Sequence, residues 1–322
     1  MSRSGSIGLY YEAAADGATL LADAGVAHEA GEEALTREPQ DVWNELEESP
    51  VDERENIEIN LLLEGLYQMY GFDFRHYVRS SLRRRILNRM KMEKLPTITA
   101  LLEKVLHEPL FVDKLLGDMS IRVTEMFRDP SFFNAFRTQV VPELRDYPEI
   151  RIWHAGCATG EEAYAMAILM QEEGLAEKTR IYATDMNEQA IESAQKGAFP
   201  LKQMQLYTTN YLESGGTKAF SEYYTTDHQY AYFKPQLKEN MMFAQHNLVT
   251  DGSFNEFHVI LCRNVMIYFD PKLQQQVHSL FYSSLTPQGF LGLGKKEYIL
   301  HVPEGVQYDD FVPHERIYRK KS

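Results

Sequence analysis

From Ile150 to the C-terminus, short β-branched or apolar runs alternate with helical segments, and this alternation constrains the fold more than any other feature of the chain. Such an order builds a parallel sheet whose strands are joined by crossover helices. IRIWHA (150–155) reads as the first strand, followed by a loop of small residues, GCATG, and a helix from Glu161 to about Glu173. RIYATD (180–185) is the second strand, with a helix from about Glu188 to Lys196 behind it. MMFAQHNL, HVILCRNV and GFLGLG are the third to fifth strands, and a last strand near ERIYRK closes the sheet. The tyrosine-rich stretch between Phe199 and Asn240 is too long for an ordinary connection and reads as an insertion.

Upstream the period changes to that of helices. Ile59, Leu62, Leu63, Leu66, Met69 and Tyr70 fall on one helical face, which Gly71 interrupts. A second helix runs through Tyr77–Lys94, with Leu82, Ile86 and Met90 at four-residue spacing, Arg83, Arg85 and Arg89 flanking them, and Arg84 facing away. A third helix, ITALLEKVLHEP, ends at Pro109, and a fourth runs from near Leu110 towards Ser120. We therefore expect a small all-α domain at 57–125 and an α/β domain at 126–322, with the insertion at about 200–240.

Charge is unevenly spread. The net charge is −14, yet residues 1–56 alone hold 14 acidic and three basic side chains, with few large apolar ones. Such a stretch gains too little burial to offset its chain entropy, so a flexible acidic tail is expected there. Residues 72–94 run the other way, with eight basic side chains against two acidic. No apolar run approaches the roughly 18 residues that would span a bilayer, and the opening lacks a signal-peptide pattern. Two cysteines, Cys157 and Cys262, are too few for a disulfide framework. A cytoplasmic protein without membrane insertion is expected.

The loop after the first strand lets backbone approach a ligand closely at Gly156 and Gly160. It lacks the full G-x-G-x-x-G spacing of dinucleotide sites, and a shorter loop suits S-adenosylmethionine, which has no pyrophosphate. Asp185 ends the second strand, where a carboxylate can accept hydrogen bonds from both ribose hydroxyls. Equally, Asp185 and Asn187 could cap the next helix, and Thr159 with Glu162 has the spacing of a capping box. His154 and Cys157 fall short of any zinc-site spacing, so no metal is expected.

IRVTEMFRDPSFF (121–133), AGCATGEEAY (155–164), YATDMN (182–187), HNL (246–248) and CRNVMIYFD (262–270) together resemble the motif series of the bacterial chemotaxis receptor methyltransferases, the CheR family. The resemblance covers residues 57 to about 320. It implies a doubly wound, Rossmann-like methyltransferase domain with an inserted small β subdomain, preceded by a small all-α domain. It also implies S-adenosylmethionine as cofactor, S-adenosylhomocysteine as product, and glutamate side chains on Glu-rich chemoreceptor helices as substrate.

By motif, Thr124, Arg128, Glu162 and Asp185 would contact the cofactor, with Gly156 in the loop beneath it. Asn247 and Leu248 would flank the adenine, and Arg263 and Asn264 would complete the site. Arg128 and Tyr268 would lie beside the reacting methyl group. Arg122 stands where the family usually has asparagine and is assigned to the cofactor site by position. The late G-H-S-E segment of the family is GKKE here, at 294–297. Arg83, Arg84, Arg85 and Arg89 read either as a solvated face or as the surface that grips an acidic substrate, and the resemblance favours the second. Nucleic acid is not expected as a partner, since basic and aromatic residues do not interleave in that helix. The insertion's TTDHQYAYF contains no glycine and is shorter than in members that bind a receptor's C-terminal tethering peptide, so action independent of such a peptide is expected. The alternatives are a methyltransferase for a small carboxylic acid or RNA, and a non-catalytic scaffold that senses the cofactor.

Overall fold

The computed structural model describes residues 52–119, 124–300 and 302–321. The acidic stretch up to Val51 and Arg122 lie outside the described residues.

Four helices come first: α1 (Glu53–Tyr70), α2 (Arg79–Glu93), α3 (Ile98–His107) and α4 (Pro109–Met119). The apolar period of α1 begins at Ile59, but the helix starts six residues earlier, inside the stretch read as tail. Asp52 sets that start: its Oδ1 accepts the Glu55 N–H at 2.6 Å, and Glu53 and Glu55 place negative charge in the first turn. Gly71, at φ 77°, ends the helix by donating its N–H to the Tyr67 carbonyl. Ile59, Leu62, Leu63 and Leu66 of α1 are buried, as are Leu82, Ile86, Leu87 and Met90 of α2.

The buried face of α2 also takes in two of its arginines. Arg83 pairs with Glu55, and Arg89 with Asp118 and Glu93. Arg83 and Arg89, expected to grip substrate, are both held in these ion pairs inside the helical layer, whereas Arg84 is exposed and Arg85 half-buried.

Helical segments Pro130–Ala135 and Val141–Leu144, with a π-helical turn at Phe136–Val140 between them, lead into the sheet. In chain order follow β1 (Ile150–Ala155), α5 (Glu161–Glu172), β2 (Thr179–Asp185), α6 (Glu188–Lys196), β3 (Ala198–Pro200), α7 (Met204–Glu213), β4 (Tyr224–Thr226), β5 (Tyr230–Phe233), β6 (Met241–Gln245), β7 (Phe257–Cys262), α8 (Pro271–Ser284), β8 (Leu285–Leu293), β9 (Tyr308–Val312) and β10 (Ile317–Lys320). The main sheet has the order β6-β2-β1-β7-β8-β10-β9. Its first five strands are parallel, while β10 pairs antiparallel with β8 and β9. Strand β9 was not anticipated, because YDDFV carries two acids where an apolar run would be expected.

Alternate residues of the strands feed two cores. Ile150, Ile152, Val259 and Leu261 pack against α5 on one face, and Trp153, Ile260, Cys262 and Leu291 against α8 on the other. The insertion folds as an antiparallel sheet, β3-β5-β4, with α7 beside it. Its Tyr211 and Phe220 meet Phe127 edge to face, with centroids 5.4 and 6.2 Å away, so the insertion packs directly on the turn that precedes Arg128.

The helical layer is stitched to the sheet domain by backbone. Val78 donates its N–H to the Tyr268 carbonyl at 2.8 Å, and Asp270 donates to the His76 carbonyl at 2.8 Å. His76 Nδ1 also lies 2.8 Å from Asp270 Oδ2, while Asp270 Oδ1 caps α8 through the Leu273 N–H.

Candidate active site

A cavity of about 330 Å³ opens where the C-terminal ends of β1, β2, β6 and β7 meet the helical layer. In an open parallel sheet this is where ligands bind, and the volume lies within the usual range for small-molecule sites. Thr124, Arg128, Gly156, Glu162, Asp185, Asn247, Leu248, Arg263, Asn264 and Tyr268 all line it, and so does Arg85 from α2. Among the described residues expected at the site, Arg83, Arg84 and Arg89 are the ones outside this lining.

Around the cavity the backbone takes unusual conformations. Phe127, Asp129, Ala158 and Asn264 all have positive φ, between 48° and 63°, a region that costs non-glycine residues energy and that recurs at functional sites. Gly156, at φ 79°, lies so close to the next strand's loop that a Cβ would sit 2.6 Å from Val265 Cγ2. This glycine is required by both torsion and space.

The capping alternatives hold for Asn187 alone. Asn187, not Asp185, caps α6, its Oδ1 accepting the Ala190 N–H at 3.2 Å. The Asp185 carboxylate spans the cavity floor, accepting the N–H groups of Ala158 and Asn187, each at 2.9 Å. Glu162 does not reach back to the start of α5; it joins a buried chain of charges. Its Oε1 lies 2.9 Å from His154 Nδ1, and its Oε2 accepts Arg263 Nη1 at 2.8 Å. Arg263 continues the chain, Nη2 donating to Asp129 Oδ2 at 2.7 Å, and its guanidinium lies 4.1 Å from the Phe132 ring centre. Burial opposes the charge on Glu162, but the hydrogen bond from His154 and the positive charge of Arg263 outweigh it and hold the carboxyl down at about 2.

Several residues of the site were not singled out by sequence. Tyr77 lines the cavity, its ring edge-to-face with Phe74 and Phe269 at 5.0 Å and its hydroxyl 3.7 Å from Met186 Sδ. Burial, with Asp185 nearby, pushes its phenol up, so it stays neutral. Glu297 organises the loop after β7: its two carboxylate oxygens accept the main-chain N–H groups of Asn264, Val265, Ile267 and Gly294, at 2.6 to 3.2 Å. The departure from the family pattern at GKKE thus keeps the residue that shapes the Arg263–Tyr268 segment. The position of this glutamate in its motif was the available signal. For Tyr77 the signal was weaker, an aromatic residue just ahead of the basic helix.

Arg85 stands over Tyr268, its guanidinium 5.1 Å from the ring centre, and bonds the Met119 carbonyl through Nη1. Its Nη2 is buried without a hydrogen-bond partner among the described residues. Both cysteines are buried, and burial pushes both thiols well above their ordinary value, so neither is an ionised nucleophile.

The donor set fits a nucleoside bearing a positive charge. A carboxylate ends β2 where ribose hydroxyls can bond it, glycine permits close backbone approach, and Asn247 and Leu248 offer one polar and one apolar contact to a flat base.

Two family models match the chain: one described as "CheR methyltransferase, all-alpha domain" over residues 57–120, the other as "CheR methyltransferase, SAM binding domain" over residues 122–310. A Pseudomonas putida protein given the provisional name methyltransferase Cher3 is 45% identical over 265 residues, which cover 82% of this chain and 97% of that one. The Listeria monocytogenes chemotaxis protein methyltransferase is 28% identical over 238 residues, 72% of this chain and 86% of its own. The Pseudomonas aeruginosa chemotaxis protein methyltransferase 2 is 26% identical over 247 residues, covering 74% and 85%.

Proposed function

Because the chain belongs to the CheR methyltransferase family and uses S-adenosylmethionine, we propose that it methylates glutamate side chains on a helical, Glu-rich segment of a chemoreceptor, giving glutamate methyl esters. The observation that carries this reading is one cavity lined both by Asp185, Glu162 and Asn247 and by Arg85, Arg128 and Tyr268. The first group suits the donor; the second suits an incoming carboxylate.

Held in the cavity, S-adenosylmethionine would supply a sulfonium-activated methyl group for a carboxylate oxygen, the S–CH3 bond breaking as the O–CH3 bond forms, S-adenosylhomocysteine leaving as a neutral thioether, and no proton having to move. A glutamate is already ionised at neutral pH, so the protein supplies no general base. Its task is orientation and exclusion of water. Arg128 and Tyr268 hold the carboxylate, a guanidinium and a phenol together fixing both its oxygens. Tyr268 is braced from below by Glu297, through Val265 and Ile267, and from the side by Val78 of the helical layer. Asp185 would receive the ribose hydroxyls, Thr124 and Arg128 would border the donor's tail, and Asn247 and Leu248 would flank the adenine. Glu162 and Arg263 act through one another, holding the Arg128–Asp129 turn in place. Arg84 and Arg85 meet the acidic partner helix.

The turn joining β4 to β5 is tight, with Asp227 Oδ1 accepting the N–H groups of Gln229 and Tyr230, both at 2.7 Å. This supports action without a receptor's tethering peptide, and measurable affinity for such a peptide by calorimetry would refute it. We place the reaction in the cytoplasm; no described helix is long and apolar enough to cross a membrane.

The deciding experiment is transfer of labelled methyl onto membranes that carry the organism's own receptors. Label released as methanol in mild base is expected, and Arg128→Ala should slow transfer about 100-fold, the cost of a misplaced reactant. Label that is base-stable, or that resides on RNA, would sink the proposal.

A further inference from the structure

The GKKE segment places two lysines on a turn that packs against Asn264, a residue of the cavity lining. Gly294 to Glu297 form a four-residue turn, closed by the Glu297 N–H on the Gly294 carbonyl at 2.9 Å. Both ends are pinned: Gly294 has no room for a Cβ, which would lie 2.9 Å from the Asn264 nitrogen, and the Glu297 carboxylate is buried against the Asn264–Ile267 backbone. Lys295 and Lys296 occupy the corners of this turn and are both exposed. A short turn tied at both ends holds its corner residues in fixed positions, unlike charges strung along a free loop.

Lys295 Nζ lies 3.6 Å from Asp129 Oδ1, beside Arg128, and its side chain is still 52% exposed. Asp129 is already committed, since its other oxygen accepts Arg263 Nη2. No carboxylate among the described residues pairs with Lys296. Basic groups therefore stand near the cavity on two separate elements: Arg85 of α2 lines it and stands over Tyr268, with the exposed Arg84 next to it in the chain, and Lys295 and Lys296 sit on the turn after β8 that packs against the lining residue Asn264.

We propose that Lys295 and Lys296 form a second basic arm of the substrate site, which grips an acidic segment of the protein substrate lying across the cavity mouth. This rests on the reading of an acidic protein substrate given above. Two lysines on a rim favour a partner bearing several carboxylates over one bearing a single carboxylate, so the arm selects for acidic segments as against isolated glutamates. Its contribution is electrostatic and belongs in the capture of substrate rather than in the chemical step.

The test uses the full chain with labelled S-adenosylmethionine and two peptides from a receptor methylation segment. One is Glu-rich; the other has all but the accepting glutamate replaced by glutamine. K295Q/K296Q should raise KM for the acidic peptide about fivefold at low salt, and K295E/K296E more than tenfold. In both variants kcat should stay within twofold, affinity for S-adenosylhomocysteine should not change, and the differences should vanish near 0.5 M salt. The glutamine-substituted peptide should show little dependence on the lysines. Equal KM for wild type and both variants would overturn the proposal, as would a salt-independent rise. Tighter lysine-dependent binding of a single-stranded RNA than of the acidic peptide would overturn it too. If wild type binds S-adenosylhomocysteine but methylates neither peptide nor receptor membranes, the substrate reading itself falls.

Discussion

Glu161 and Glu162 are neighbours in sequence at the start of α5, yet their carboxyls are driven in opposite directions. Glu161 is buried, and the hydroxyls of Thr159 and Tyr207 with a backbone N–H do not offset that, so burial dominates and raises it to about 7. Glu162 faces His154 and Arg263, which outweigh its burial and lower it to about 2. The raised pKa of Glu161 costs stability progressively as pH climbs from the ordinary 4.5 to about 7, on the order of 3 kcal/mol in full. Glu161→Gln should therefore flatten stability against pH across that window, as urea melts at pH 5 and pH 8 would show; an unchanged slope would clear Glu161 of the effect. For Glu162 the sign is reversed: its contribution is present above 4.5 and is lost as pH falls towards 2. Glu162→Gln leaves Arg263 buried with one carboxylate fewer, and should cost about 3 kcal/mol in thermal or urea unfolding. It should also weaken binding of S-adenosylhomocysteine.

At the scale of elements, the site depends on loops held by buried acceptors. The loop from Arg263 to Tyr268 has only one short 3-10 turn, at Met266–Tyr268, and Glu297 satisfies three of its N–H groups. Glu297→Ala strands these donors in a buried setting, where each costs about 1–3 kcal/mol. We expect kcat to fall much further than affinity for S-adenosylhomocysteine, because Tyr268 loses its brace while Asp185 and Asn247 keep theirs. An equal loss in both would point to general unfolding of the site. Gly156→Ala offers the opposite pattern: with Val265 Cγ2 only 2.6 Å from the added carbon and φ at 79°, the β1–α5 loop must shift into the donor's place. Donor binding should drop at least tenfold in calorimetry, and the same torsion and clash should lower the melting temperature.

For the molecule as a whole, the net charge of −14 would repel an acidic partner. Attraction must come from the local field of α2 and the cavity rim, and a local field is screened within about 8–10 Å at physiological salt. KM for an acidic receptor segment should therefore rise steeply with ionic strength, while KM for S-adenosylmethionine, held by hydrogen bonds in a partly enclosed cavity, should barely move. Parallel salt dependence of both constants would argue against a charge-guided substrate site.

The parallel sheet, the four helices ahead of it and the positions of most motif residues could be read from sequence. Each depends on a local period or on a short run such as CRNVMIYFD, and neighbours along the chain carry such signals without help from distant residues. Partners could not be read this way. Arg83 and Arg89 looked like surface charges until Glu55 and Asp118 were brought against them, and the sequence left Glu162 between a cap and the cofactor site, with no sign of Arg263, 101 residues away, closing on it. Tyr77 and Glu297 belong to the site only because the helical layer and the turn after β8 fold onto the loop after β7. Sequence set which elements form and which faces they bury; the tertiary structure decided which charges face each other. The energy of a buried charge depends on what stands a few ångströms from it across the fold, and the order of residues along the chain does not encode that distance.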